Sequence, residues 1–125
     1  HTWSHVQLDK ISPSRASREI LKTNSLIYHI TGTYPTCLRP PYGAWKKDLE
    51  LPVTMLPVFW DVDTLDWQSQ NPESILDIVR QNVQDGSIIL MHDSYDSSVR
   101  AALAITDELT EKGYDFVTAD QLLDP

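Results

Sequence analysis

Apolar segments of strand length alternate with amphipathic helical patterns along this chain, and this order constrains its fold more than any other feature. The segments "LPVFWDVD" at 56–63 and "SIILMHD" at 87–93 are apolar until polar residues end each one. Helical patterns occupy about 13–30, 71–85 and 99–109, and further strands are predicted within "TCLRPPYG" at 36–43 and "YDFVTA" at 114–119. The alternation predicts an α/β fold in which helical crossovers join parallel strands.

The composition excludes several kinds of partner and site. The 125 residues suffice for one domain at most, and 10 basic against 18 acidic residues argue against nucleic acid as a partner. Cys37 is the only cysteine, so neither an internal disulfide nor a cysteine-based zinc site can form. No run approaches the roughly 20 apolar residues that span a bilayer.

Polar side chains follow three of the predicted strands, at the point where each strand ends. They lie at 39–42, 61–67 and 92–93. Because the carboxyl ends of parallel strands meet at one edge of a sheet, where α/β proteins place their sites, we expect these three segments to converge.

Two histidines stand four residues apart at the beginning of the chain. On a helix or helix-like turn, His1 and His5 would project from the same side, close enough to bind one cation. A catalytic zinc usually takes three protein ligands, so a third would have to come from elsewhere. The alternative is a solvated pair on the surface.

The other candidate residues each have a functional and a structural interpretation. Arg39 precedes a stiff Pro-Pro loop that could hold its guanidinium against a carboxylate, or it is a surface arginine beside a turn. The carboxylates of "DVDTLDW" could tune a nearby acid or base, or they are solvated loop residues. His92 ends a buried strand as a candidate general acid, or it is a structural histidine.

Four motifs, taken in order, resemble the signature of one enzyme family. "HTWSH", "RPPYG", "DTLDW" and "LMH" are similar to the second to fifth motifs of the carbohydrate esterase family 4 polysaccharide deacetylases, or NodB homology domains. The segments 60–67 and 87–93 look most like stretches of bacterial peptidoglycan N-acetylglucosamine deacetylases. The resemblance covers essentially the whole chain. It implies a distorted (β/α) barrel that binds a divalent metal, usually zinc, with cobalt as an alternative.

The resemblance also implies a role for each matching residue. His1 and His5 would bind the metal, Arg39 would orient the catalytic base, and Tyr42 would donate its backbone N–H to the oxyanion.

The last two motifs carry the remaining implied roles. Asp66 would tune His92, which would act as the general acid, while Trp67 and Leu90 would shape an apolar slot for the acetyl methyl group.

The family's first motif, a Thr-Phe-Asp-Asp-like stretch, has no counterpart in this sequence. Its two aspartates are the third metal ligand and the base that activates water. We therefore expect residues 1–125 to be the C-terminal portion of a catalytic domain. The early strands of the barrel and both aspartates would lie in an upstream segment, without which this portion would be inactive.

The expected reaction is metal-dependent hydrolysis of the acetamido group of N-acetylglucosamine in peptidoglycan, with release of acetate. Within the same family, the alternatives are a chitin or chitooligosaccharide deacetylase and an acetylxylan esterase. An alternative from another class is a non-catalytic carbohydrate-binding module with an aromatic groove in which Trp3, Tyr42 and Trp67 stack on sugars. The partner would be a cell-wall polysaccharide, and the resemblance implies an extracellular or cell-surface location in bacteria.

Overall fold

The computed structural model describes residues 1–47, 49 and 54–123. The chain forms two compact units, His1–Phe59 and Trp60–Pro125. No helix in the described ranges has both the length and the apolar character needed to cross a membrane.

The described part of the first unit contains one long helix, two 3₁₀ turns and a two-stranded sheet. In chain order these are a turn at Leu8–Lys10, α1 (Pro13–Thr31), β1 (Cys37–Leu38), a turn at Pro41–Gly43 and β2 (Leu56–Pro57). β1 and β2 pair in parallel. The buried core combines Ala16 and Ile20 of α1 with Leu8 and Leu38. The apolar stripe of the helix therefore packs with a side chain of the sheet.

Helix α1 confirms the predicted helix at 13–30. Interactions of nearby residues specify both of its ends. The Ser12 hydroxyl accepts a hydrogen bond from the Arg15 N–H at 3.3 Å, and Pro13 occupies the first helical position. The helix ends at Gly32, which has a left-handed φ of 75° and donates its N–H to the Tyr28 carbonyl at 2.8 Å.

The described part of the second unit contains two longer helices, two short helices and another two-stranded sheet. In chain order its elements are β3 (Val62–Asp63), α2 (Asp66–Ser69), α3 (Pro72–Asn82), β4 (Ile89–Leu90), α4 (Asp96–Glu111) and α5 (Ala119–Leu123). β3 and β4 are parallel. The core side chains come from β3, α3 and α4: Val62, Ile75, Leu76, Val79, Ala101, Ile105 and Leu109. The predicted α/β class with parallel strands is confirmed.

The segment "LPVFWDVD" forms two short strands instead of the single strand that its composition predicts. Leu56–Pro57 pairs with β1, whereas Val62–Asp63 pairs with β4. The second pairing begins at Asp61. The N–H groups of Asp61 and Val62 both donate to the Ile88 carbonyl, at 3.1 and 3.2 Å.

The predicted final strand at 114–119 is wrong. After Gly113, whose φ of 87° is left-handed, the Tyr114 N–H donates to the Leu109 carbonyl at 2.9 Å, which ends α4. Phe116 and Val117 remain more than half exposed, at 53% and 56%. Strand propensity alone does not make a strand, and none of the described strands pairs with this segment.

A short helix, α5, follows in its place. Thr118 and Gln121 have the spacing of a capping box, and the Gln121 side-chain oxygen accepts the Thr118 N–H at 3.1 Å. This local signal lay within the sequence, but the apolar pattern of the preceding residues obscured it.

Candidate functional site

Two histidine ring nitrogens lie close together in the first unit. His1 Nδ1 lies 2.7 Å from the carbonyl oxygen of Arg39. A carbonyl oxygen only accepts, so Nδ1 carries the hydrogen and the lone pair of a neutral His1 ring is on Nε2. That Nε2 is 3.0 Å from Nε2 of His5. Two nitrogens bound about 2.0 Å from a tetrahedral zinc would be separated by about 3.3 Å, so the pair fits one cation.

The two histidines meet on a strained loop and not on the predicted helical turn. Thr2 and His5 have left-handed φ values of 59° and 55°, and no helix includes either residue. The Thr2 hydroxyl also accepts the Val6 N–H at 3.2 Å. Left-handed backbone at a non-glycine residue costs roughly 1–2 kcal/mol. The spacing predicted the proximity of the rings correctly, but a different backbone produces it.

Helix α1 holds this loop through Glu19, which the sequence did not mark as a site residue. Its carboxylate accepts the Ser4 N–H at 2.8 Å and the Ser4 hydroxyl at 2.7 Å. These bonds, led by the one from the hydroxyl, lower the pKa of Glu19. Next to Ser4, the Trp3 ring lies under the Lys22 ammonium, which is 4.0 Å from the ring centroid.

The Pro-Pro loop after β1 packs against the same histidines. Pro40 and Pro41 are fully buried, while Tyr42 has a left-handed φ of 61° and a side chain that is 68% exposed. The Tyr42 ring is 4.7 Å from the His5 ring in an edge-to-face arrangement. Burial lowers the pKa of Arg39, whose backbone carbonyl is the acceptor for His1. Arg39 thus contributes its backbone carbonyl, and the role of its guanidinium stays a prediction.

The described residues supply two candidate metal ligands and no complete metal-binding cluster. Within 1–47, 49 and 54–123, no group of three or more His, Cys, Asp or Glu side chains is arranged to hold a metal ion.

A buried carboxylate is paired with a histidine in the second unit. Asp66, at the start of α2, is 0% exposed and its Oδ1 lies 2.8 Å from Nδ1 of His92. Its Oδ2 accepts two further hydrogen bonds, from the His92 N–H and the Ser98 hydroxyl, each at 2.7 Å. Burial by itself would raise the pKa of Asp66, but the hydrogen bonds from His92 and Ser98 outweigh it and hold the pKa below its usual value. Asp66 is therefore ionised at neutral pH.

An ionised Asp66 determines which nitrogen of His92 is available for chemistry. A carboxylate only accepts, so His92 Nδ1 carries a hydrogen, and the lone pair of a neutral His92 ring is on Nε2. The His92 side chain is 39% exposed, so the ring reaches solvent. With a proton on Nε2 the ring is a donor, and without it an acceptor, which is the behaviour of a general acid or base.

The other carboxylates of "DVDTLDW" accept hydrogen bonds that hold turns in place. Asp61 accepts the Ser87 hydroxyl at 2.8 Å and the Ile88 N–H at 2.5 Å, which joins the turn before β4 to β3. Asp63 accepts the N–H of Leu65 at 3.1 Å, and Leu65 has a left-handed φ of 51°. That turn directs the next residue, Asp66, into the core.

The two residues predicted to form an apolar slot differ in exposure. Trp67, on α2, is 51% exposed, whereas Leu90, at the end of β4, is 8% exposed. The carbonyl of Leu90 accepts the hydroxyl of the fully buried Thr64 at 2.7 Å, which fixes the ends of β3 and β4. The slot itself stays a prediction.

Strained backbone is concentrated in the predicted motifs. Among the described residues, five that are not glycine have positive φ. Four of them, Thr2, His5, Tyr42 and Leu65, lie in "HTWSH", "RPPYG" and "DTLDW", and only Gln70 lies outside. Such conformations persist where surrounding structure enforces them, and they are enriched at functional sites.

Comparison with known proteins agrees with the motifs. A family model for polysaccharide deacetylases matches residues 1–56. Over 122 residues, 98% of this chain, the sequence is 41% identical to the peptidoglycan-N-acetylmuramic acid deacetylase PdaC of Bacillus subtilis. The chain belongs to the polysaccharide deacetylase family. The chain spans 26% of the PdaC sequence.

Other members of the family show the same extent of similarity. The chain is 37% identical, over 98% of its length and 26% of the relative, to the peptidoglycan-N-acetylglucosamine deacetylase PgdA of Listeria monocytogenes. The solved structure of PdaC matches 99% of the chain with a TM-score of 0.93 and 40% identity, and the match spans 61% of that PdaC chain. The chain thus has the fold of a large part of a family deacetylase.

One similar structure bears on activity. BA3943 of Bacillus anthracis, described as a carbohydrate esterase family 4 pseudoenzyme, matches 99% of the chain and 45% of its own chain, with a TM-score of 0.88 and 27% identity. Membership of the family alone therefore does not establish catalysis, which depends on the individual residues of the site.

Proposed function

We propose that the protein carrying this chain hydrolyses acetamido groups of peptidoglycan amino sugars and releases acetate. The buried Asp66–His92 pair supports this most strongly. A fully buried carboxylate joined at 2.8 Å to an imidazole whose side chain is 39% exposed suits proton transfer to a departing amine. A carbohydrate-binding surface has no need for it.

His92 is the general acid in this proposal. Asp66 holds Nδ1 and stabilises the imidazolium, so the proton on Nε2 can pass to the nitrogen of the sugar as the C–N bond breaks. Positioned acid catalysis of this kind contributes roughly 10²- to 10⁴-fold to a rate.

His1 and His5 would hold a divalent metal, with zinc favoured and cobalt as an alternative. The 3.0 Å separation of their Nε2 atoms supports the assignment, as does the carbonyl of Arg39, which orients His1 as outer partners of metal-binding histidines do. When bound, a divalent cation supplies Lewis-acid polarisation of the amide carbonyl and lowers the pKa of a water ligand. The Tyr42 N–H would donate to the oxyanion, and Arg39 would orient the base.

The third metal ligand and the base would come from paired aspartates in an upstream segment of the same domain, which would also complete a distorted barrel. An apolar groove of about 1040 Å³ in the second unit supports this proposal, because Ile89, Ile105, Phe116 and Val117 line it. The chain spans only 61% of the solved PdaC chain, so the relative has further residues that could occupy such a groove. We propose that an upstream strand fills it.

The proposed substrate is N-acetylglucosamine in peptidoglycan, with N-acetylmuramic acid as a second candidate. PgdA is named for the first sugar and PdaC for the second, and their identities to this chain are 37% and 41%. Trp67 and Leu90 would contact the acetyl methyl group, which both sugars share. A substrate in the cell wall places the protein at the extracellular or cell-surface side of a bacterium.

Acetate release from purified peptidoglycan, followed by mass spectrometry of the muropeptides, tests the proposal and identifies the deacetylated sugar. Chitooligosaccharides and acetylated xylan serve as comparison substrates. The His92→Ala variant should retain the metal and lose activity. Binding to peptidoglycan without acetate from any substrate, at saturating zinc, would instead identify a non-catalytic module.

A further inference from the structure

We propose that Ser98 is a positioning residue for proton transfer, because its hydroxyl fixes the orientation of Asp66 independently of His92. The inference rests on the proposed function, in which Asp66 and His92 act as a pair. Ser98 lies in the first turn of α4, outside all four sequence motifs.

The contacts of Asp66 single out this serine. Three described hydrogen bonds reach the carboxylate, and two of them come from His92 itself, through Nδ1 and the backbone N–H. The Ser98 hydroxyl supplies the third, at 2.7 Å. Ser98 is 1% exposed and Asp66 is 0% exposed, so water has little access to replace this bond.

The shared oxygen explains how Ser98 could act through Asp66. The Ser98 hydroxyl and the His92 N–H both donate to Oδ2, while Oδ1 accepts from the imidazole. The two oxygens belong to one planar group, so fixing Oδ2 from two directions limits rotation of the carboxylate and directs Oδ1 at the ring. Without Ser98, the remaining described donors both belong to His92.

The same bond links two elements that begin beside the pair. Asp66 is the first residue of α2, and Ser98 belongs to the first turn of α4. Hydrogen bonds to an ionised group are about twice as strong as those between neutral groups. Ser98 therefore couples the position of the carboxylate to a 16-residue helix.

The test is Ser98→Ala in the protein carrying this chain, with Ser97→Ala as the matched control. Ser97 is the neighbouring hydroxyl on the same turn and is not among the described partners of Asp66. We expect Ser98→Ala to lower kcat about tenfold with little change in KM, because it loses one hydrogen bond to a charged group. Ser97→Ala should retain wild-type kcat.

A double-mutant cycle separates positioning from a general loss of structure. In an Asp66→Asn background, Ser98→Ala should cause little further loss of kcat, since the residue acts through the carboxylate. Additive losses would overturn the proposal. If Ser98→Ala does not fold, Ser98→Cys keeps a side chain of similar size with a weak donor and should show a smaller fall in kcat. A wild-type kcat for Ser98→Cys would then overturn it.

The His92 imidazole gives a readout that needs no activity. Its Nδ1–H proton should give a downfield resonance in the wild type and in Ser97→Ala, and the resonance should broaden or move upfield in Ser98→Ala. An unchanged resonance would overturn the role of Ser98, whether or not the wild-type protein releases acetate. Absence of acetate with a perturbed resonance would instead overturn the proposed function alone.

Discussion

Replacement of Asp66 by asparagine should both destabilise the fold and remove the proposed acid chemistry. The substitution keeps the size of the side chain but exchanges one acceptor oxygen for an NH₂ donor. Three donated hydrogen bonds from His92 and Ser98 converge on the carboxylate. An amide can accept on one side only, so a buried donor loses its acceptor whichever way the group turns.

The size of the effect follows from these contacts. A hydrogen bond to a charged group contributes about 1.5–3 kcal/mol, and an unpaired buried donor costs about 1–3 kcal/mol. These two free-energy ranges overlap, because both describe the loss of the same hydrogen bond. We therefore expect Asp66→Asn to lower the free energy of unfolding by about 2–4 kcal/mol at pH 7. The fall in kcat should be on the order of 10²- to 10⁴-fold, since His92 loses the group that fixes its tautomer.

The pH dependence provides a sharper test. The folded-state pKa of Asp66 lies below its usual value, so the ionised carboxylate stabilises the fold. This contribution is complete above the ordinary aspartate pKa of about 3.9 and is lost as the pH falls through the folded-state value. The gap in stability between wild type and Asp66→Asn should therefore be largest near neutral pH and shrink below about pH 4.

Urea unfolding at several pH values measures this gap in the protein carrying this chain. Asp93→Asn is the matched control, because Asp93 is an exposed carboxylate next to His92. We expect that variant to follow the wild type at every pH. A gap for Asp66→Asn that stayed constant from pH 7 to the acid range, or equal stability at pH 7, would refute the reasoning.

Three further predictions concern the metal, its loop and the acyl group. His5→Ala should remove bound zinc as measured by elemental analysis, whereas His92→Ala should leave it in place, and loss of zinc from the latter would mean that these roles are misassigned. Glu19→Gln should weaken zinc affinity several-fold in a competition titration, because Glu19 holds the "HTWSH" loop through Ser4; an unchanged affinity would show that the loop needs no such support. Trp67→Ala should alter the preference between N-acetyl and bulkier N-acyl substrates by about 1–3 kcal/mol per methylene, and an identical preference would argue against the slot.

The sequence predicted the three long helices well because their signals are local, but it missed the short helices α2 and α5. Ser12 and Gly32 specify the ends of α1, and Asn71 accepts the Ser74 N–H at 3.0 Å to begin α3. The strands fared less well because pairing is decided elsewhere in the chain. Leu56 and Val62 lie in one apolar run, yet they pair with different strands.

In the candidate site, the sequence identified several residues but not all of the contacts that they make. The motifs named Asp66 and His92, and the structure places them in contact. Nothing in the local pattern marked Ser98 or the backbone carbonyl of Arg39, since each reaches a residue more than 30 positions away. The left-handed turn at Leu65 was also invisible, because that conformation is unusual for a residue other than glycine.

The left-handed residues in the motifs also affect local unfolding of the loops that contain them. Each stores roughly 1–2 kcal/mol of conformational energy that local unfolding would release. Thr2, His5 and Tyr42 lie in the first unit with the histidine pair, and Leu65 precedes Asp66 in the second unit. The amide hydrogens of these loops should therefore exchange through small local openings. Such openings should cost less free energy than unfolding of the helices. Ligand affinity measured at these loops would then include the free energy needed to close them.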